Sequence, residues 1–298
     1  RSRGIEIQVN TTPIATRDFT WNLDFNFTYY NTIALKLPEN GEEKNRTGGN
    51  YIYDPDSDSI IKVGGIAEGE RFGSRYGWHY LGVYQTEEEA AKAPYDQQAA
   101  GRTKHAGDAI YEDRNGDGVL NNLDMVFIGY IRPNITGGIA NIMAWKGLTA
   151  RLVMDYAIGH VICNTWRGMM LASFRNNCNT TYEALNNTWQ YANDGSTLPK
   201  YTVQSDHDYN YHNYMRSGYN LGNSGSGSIN SSHMYKKGDY LAFREFSLSY
   251  SINEKLLGNF FVKGVQINVG VYNIGYLTGY DGLTPEIYTG RDYGTYAR

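Results

Sequence analysis

The chain has 298 residues and a formal net charge of −4, which excludes the broad basic surface that nucleic acid binding requires. Charged residues make up 19% of it and aromatic residues 14%, with 27 Tyr, a balance unusual for a cytosolic enzyme because each tyrosine pairs an apolar ring with a hydroxyl that needs a polar partner. No stretch reaches the roughly 18 consecutive apolar residues of a membrane helix, yet a wall of strands with one apolar and one wet side stays open.

Along the chain, Arg1-Ser2-Arg3-Gly4 leads directly into a strand without a signal peptide, and the sequence reads as a piece of something longer. Ile5, Ile7 and Val9 then alternate with Glu6, Gln8 and Asn10. Thr11 to Asp18, containing Pro13, is expected to be a short connection. Phe19, Trp21, Leu23, Phe25, Phe27 and Tyr29 alternate with Thr20, Asn22, Asp24, Asn26 and Thr28. Successive strand residues point to opposite faces, so this segment carries one greasy face and one wet face. Its length matches the about 9–11 residues of a tilted membrane strand and exceeds the usual soluble strand.

A long polar stretch follows, from Asn31 to about Pro133. Within it, Asp54, Asp56 and Asp58 around Pro55 read as a solvated turn, and Glu87 to Lys92 as a short helix with Thr86 as N-cap. Ile135 to Trp145 and Leu148 to Ile158 are the next strands, joined at Lys146-Gly147 by a tight hairpin turn. Arg151 and Asp155 fall on the wet face of the second. The stretch from Gly159 to about Asp239 is again long and polar, with Tyr209 to Tyr214 rich in Tyr and Asn and Asn223 to Ser228 of low complexity. Cys163 and Cys178 within it could pair in an oxidising compartment or remain thiols. Asp206-His207-Asp208 with His212 reads as a wet loop rather than a metal or acid–base site. Tyr240 to Tyr250 is a strand whose greasy phase changes near Arg244-Glu245, as a bulge would cause. After a fairly short connection, Asn253 to Gly264, residues Val265, Ile267, Val269 and Val271 alternate with Gln266, Asn268 and Gly270. Short and long connections alternating along long strands are the rhythm of an outer-membrane barrel.

One segment carries sharp chemistry. Asp113, Asn115, Asp117, Val119 (through its carbonyl), Asn121 and Asp124 occupy positions one, three, five, seven, nine and twelve of a calcium-loop pattern, with Gly118 at the sharp turn. Calcium is a hard cation that takes six to eight oxygens, and this spacing wraps them around one point. Asp124 replaces the usual bidentate Glu, and no helical pattern flanks the loop, so the expectation is a structural Ca2+ clip on an external loop. The competing reading is a turn whose side chains bond their own backbone. No phosphate loop, nucleophile elbow or zinc signature occurs, and no catalysis is expected.

At several of these places the chain resembles the C-terminal part of the SusC/RagA-like TonB-linked outer-membrane proteins of Bacteroidota. Arg3-Gly4-Ile5-Glu6 resembles that family's strand start, and Thr12-Pro13-Ile14 its turn. The run Gly107-Asp108 through Asp113-Arg114-Asn115-Gly116-Asp117-Gly118 to Asp124 and Ile128-Gly129 resembles its Gly-Asp-rich block. Gly238-Asp239-Tyr240-Leu241 with Phe246 to Tyr250, and Asn273 through Pro285-Glu286, are similar to its later blocks, in the same order. Ala242 and Thr284 depart from the usual Arg and Asp. The resemblance implies an all-β, transmembrane antiparallel β-barrel of about 22 strands with a plug, of which residues 1–298 form a C-terminal portion without plug, earlier strands or last strand. It further implies an outer-membrane, TonB-dependent importer of oligosaccharide or peptide fragments, working with a SusD-like surface lipoprotein in contact with outer-membrane lipid. A secreted, calcium-stabilised β-sandwich that binds carbohydrate is the alternative.

Overall fold

The computed structural model describes residues 1–97, 103–164, 181–200, 231–252, 264–286 and 291–292. The chain divides into two compact units, one from Arg1–Thr32, Pro133–His160 and Gly238–Tyr280, the other from the intervening segments and the C-terminal residues.

The first unit is a single sheet of six strands: β1 (Ser2–Ala15), β2 (Phe19–Thr32), β3 (Ile135–Trp145), β4 (Leu148–Ile158), β5 (Tyr240–Ile252) and β6 (Val265–Thr278). Each is antiparallel to the next. The register keeps the period-two pattern in phase across the sheet. Val9, Phe25, Ile139 and Met154 lie side by side, as do Ile7, Phe27, Gly137 and Tyr156. Leu152, Ala150 and Leu148 continue the row onto Phe246, Leu248 and Tyr250, and these onto Val271, Val269 and Ile267. One face is therefore a continuous apolar belt, and its side chains stay open, Val269 at 66% and Ile5 at 62% exposure. A sandwich would place this face against a second sheet within the same unit; here the unit is one sheet, the antiparallel wall of a transmembrane barrel.

Strands three and four match the sequence expectation at both ends, because Lys146 and Gly147 both take positive φ (45° and 89°) and turn the chain within two residues. The N-terminal connection is shorter than expected. Strand β1 runs through Pro13 to Ala15, with a register shift between Thr11 and Ile14, and only Thr16 to Asp18 link it to β2. Proline has no N–H to give a ladder, and an irregular register tolerates it. The bulge expected near Arg244 is present as a register shift on both sides of β5. Strand β6 continues past Val271 to Thr278, where the simple alternation stops. Asn273 there takes φ 52°, and the chain resumes pairing at Gly275 opposite Phe243.

Gly137 leaves space for a neighbour. A Cβ built on it would collide with the Tyr156 hydroxyl, whose ring lies over it and whose Oη donates to the Asn26 carbonyl at 3.2 Å. The tyrosine thereby fills the gap the glycine leaves in the wall.

In the second unit, the segment between β2 and β3 holds eight short strands among its described residues, none longer than six. Asn50–Asp54 pairs with Ser59–Val63, Ser74–Trp78 with Met125–Tyr130, and Tyr80–Val83 with Ala109–Tyr111. They close on a small core of Ile52, Trp78, Ala109, Tyr111, Leu120 and Met125. Trp78 is 1% exposed, and its indole N–H donates to the Asn121 carbonyl at 2.7 Å. The short helix α1 (Glu87–Ala90) is capped as expected, Thr86 Oγ1 accepting from Glu89 N at 3.3 Å. Lys104 and Asp96 form a buried ion pair at 2.9 Å.

Candidate functional site

The wet face of the wall is the first candidate surface. In a wide barrel it lines the interior, where water can meet charge. Asp155 on β4 is held by Arg244, the residue displaced by the bulge on β5: Nη2 donates to Oδ2 at 2.8 Å and Nε to Oδ1. Fork-to-fork pairing of this kind fixes both partners in one geometry. Beside it Arg151 Nε meets Glu245 Oε2 at 3.2 Å, and Ser247 Oγ donates to Glu245 Oε1 at 2.8 Å. Arg244 also stands over the Tyr276 ring at 5.8 Å. Periodicity places Arg151 and Asp155 on this face. Their partners follow only from the bulge, which turns Arg244 and Glu245 toward them; the break in greasy phase was the signal for it.

A polar exception sits on the apolar face. Asn141 lies between Leu23 and Leu152, and its Oδ1 accepts from Trp21 Nε1 at 3.3 Å. An amide facing lipid needs such a partner, since nothing in the hydrocarbon can supply one.

The Asp113–Asp124 loop is the second candidate. Asp113 Oδ1 accepts from Gly116 N at 3.0 Å and Oδ2 from Gly118 N at 2.9 Å. Asn115 Oδ1 accepts from Asp117 N at 3.2 Å, and Asp117 Oδ1 from Val119 N at 2.7 Å. Gly118 takes φ 77°, the left-handed turn expected at that position. Asn121 Oδ1 accepts from Leu123 N at 2.7 Å, capping a single 3-10 turn. Asp124, fully buried, accepts from Asn121 N at 2.7 Å and Arg114 N at 2.9 Å. Burial pushes its carboxyl above the ordinary range, with the backbone N–H groups of Asn121, Arg114 and Asn115 opposing that and the charge of Asp113 adding to it. Among the described residues no three His, Cys, Asp or Glu side chains gather around one point. As it stands, the loop is closed by its own hydrogen bonds.

The remaining polar clusters divide between described and undescribed residues. Asp54 accepts from Ser57 Oγ at 2.6 Å and Asp58 from Tyr53 Oη at 2.8 Å, so this group is a hairpin turn bonded to itself. Cys163 is buried. Cys178, Asp206, His207, Asp208, His212 and the Tyr- and Asn-rich segment around them lie outside the described residues.

Among known proteins, no family model matches the sequence. The chain is 25% identical over 309 residues to TonB-dependent receptor P3 of Formosa agariphila, a match covering 99% of this chain and 27% of the relative. With TonB-dependent receptor SusC of Bacteroides thetaiotaomicron the identity is 24%, over 99% of this chain and 25% of the relative. The structure of the RagAB peptide transporter superposes with a TM-score of 0.62 at 18% identity, covering 95% of this chain and 26% of that one. The chain thus spans about a quarter of the length of the relatives it matches. The resemblance carried by its motifs to the C-terminal barrel portion of SusC/RagA-like proteins extends through its sequence and its fold.

Proposed function

We propose that this chain is the C-terminal wall and external loop region of an outer-membrane, TonB-dependent importer that takes up oligosaccharide or peptide fragments. A SusD-like lipoprotein would hand over the cargo at the surface, and TonB would supply the energy from the inner membrane. The observation that carries the reading is the six-stranded belt, apolar on one face and charged on the other, with strands of 11 to 14 residues. The named relatives are receptors and transporters, which supports uptake without covalent chemistry.

The test replaces Phe25, in the middle of the belt, by Arg in the full-length protein. A charge at mid-bilayer costs about 2–4 kcal/mol, so the variant should be lost from the outer membrane, and growth on the imported oligosaccharides or peptides should go with it. Normal membrane assembly would overturn the orientation. Growth unchanged on both nutrient classes in a strain that lacks the protein would overturn import.

The Asp113–Asp124 loop is proposed to take Ca2+ as a structural ion. Its donor set is all oxygen, which suits a hard cation, and a cation would offset the buried charge of Asp124. Calcium titration of the full-length protein should raise its melting temperature, and Asp117→Ala should remove that response. An equal response in the variant rejects the site.

A further inference from the structure

The sequence contains two Asn-Gly dipeptides, Asn40-Gly41 and Asn115-Gly116. Both lie in the second unit, Asn40 exposed and Asn115 half-buried, and both glycines are exposed and take positive φ, 78° and 68°. Asn-Gly is the pairing most open to self-modification, because a glycine nitrogen meets no Cβ on its way to the preceding side-chain carbonyl. The two differ in what surrounds the reacting atoms. At Asn115 the Gly116 N–H, the nitrogen that would attack, is engaged by Asp113 Oδ1 at 3.0 Å. The carboxylate both holds the proton and fixes the nitrogen's direction. At Asn40, no acceptor among the described residues engages the Gly41 N–H, and a Cβ placed on Gly41 would meet nothing within 4 Å. The side-chain carbonyl accepts from the N–H two residues on at both sites, Asn40 from Glu42 at 3.1 Å and Asn115 from Asp117 at 3.2 Å, so the oxyanion formed on attack is stabilised alike and the difference lies at the glycine nitrogen.

We propose that Asn40 is a site of spontaneous deamidation in the folded protein, and that Asn115 is protected from it by Asp113. In this step the Gly41 backbone nitrogen, losing its proton to water or hydroxide, attacks Asn40 Cγ. The C–N bond to the side-chain amide breaks and ammonia leaves, closing a five-membered succinimide. Water then opens the ring at either carbonyl, giving aspartate or isoaspartate. No electrons change hands.

The product alters the turn it came from. Asn40 Nδ2 donates to the Arg46 carbonyl at 2.9 Å and to the Asn45 carbonyl at 3.3 Å. A carboxylate has no proton to give and would face both oxygens with a negative charge. The Asn45–Arg46 turn presents Asn45 to Glu68 at 3.0 Å and Arg46 to Glu70 at 2.6 Å. Deamidation therefore loosens a clasp formed by residues 40–46 and 68–70, and adds one more negative charge to it.

The test incubates the purified full-length protein at mildly alkaline pH and follows each Asn-Gly peptide by mass spectrometry, with a denatured sample in parallel. In the denatured chain the two sites should react at similar rates. In the folded protein Asn40 should react at least about tenfold faster than Asn115, since freeing Gly116 from a charged acceptor has to precede attack there. Asp113→Ala should bring Asn115 up toward the rate of Asn40, and Gly41→Ala should slow Asn40. Equal rates at the two sites in the folded protein, or a faster Asn115, would overturn the proposal. So would an Asn115 rate unchanged by Asp113→Ala in a protein that remains folded by circular dichroism.

Discussion

In the wall, backbone groups find their partners along ladders between strands of 11 to 14 residues, and side chains do little more than choose a face. In the loop unit the described strands are six residues or fewer, and side chains do the work of the missing ladder. Asp113 alone satisfies two backbone N–H groups, Asp124 two more, and Trp78 reaches a carbonyl from the core. The wall's stability is spread over many similar contacts and a lipid-facing belt. That of the loop unit is concentrated in a few groups whose removal leaves buried polar atoms unpaired. The described part of the connection between β2 and β3 carries a small core of its own, which a connection of such length needs to hold a defined structure.

The sharpest way to break this contrast is Trp78→Ala. Truncating a buried tryptophan costs about 3–5 kcal/mol, and here it also leaves the Asn121 carbonyl without its indole donor. The expected outcome is a loop unit that is cut by protease within residues 33–132, on a barrel that still resists denaturing detergent until heated. A variant whose wall and loops melt together would show that the two regions share their stability. A variant with intact loops would show that the core around Trp78 contributes less than its burial suggests.

The same contrast explains what was legible in the sequence. Period-two alternation is a direct image of a sheet with one greasy face, so Ile135–Trp145 and Leu148–Ile158 could be read at both ends, and the bulge at Arg244 from its phase break. Strand β1 reads short because Pro13 looks like a stop, whereas an irregular register absorbed it. Strand β6 reads short because Asn273 turns out of phase while pairing continues beyond it. The loop unit's strands were not legible, since segments of two to six residues carry too few alternations to separate from turns. The cap of its short helix was legible, because Thr86 depends on local spacing, which sequence contains. The clasp between Arg46 and Glu70 joins residues far apart in the chain, and nothing local announces it.

That clasp supplies the smallest expected effect, and it probes the loop unit where the wall should be silent. Glu70 receives Arg46 Nη2 at 2.6 Å and Lys44 Nζ at 3.0 Å. Partial burial works to raise its pKa, but the hydrogen bonds and charges of Arg46 and Lys44 outweigh that and hold the carboxyl below the ordinary 4.5. A carboxylate whose folded value is depressed contributes stability above its unfolded value and loses it as pH falls through the folded one. Between pH 7 and about 5 the clasp should therefore be constant. Below 4.5 it should weaken progressively, seen as faster amide exchange at residues 44–46 and 68–70, while β2 to β4 keep their protection. Glu70→Gln should exchange faster at neutral pH and lose most of this acid dependence. The change should be modest, because Glu70 stays 37% exposed and water screens the pair. Wall strands that lose protection together with residues 44–46 and 68–70 would mean that the two regions share their support, and the division between a wall held by ladders and loops held by side chains would fail.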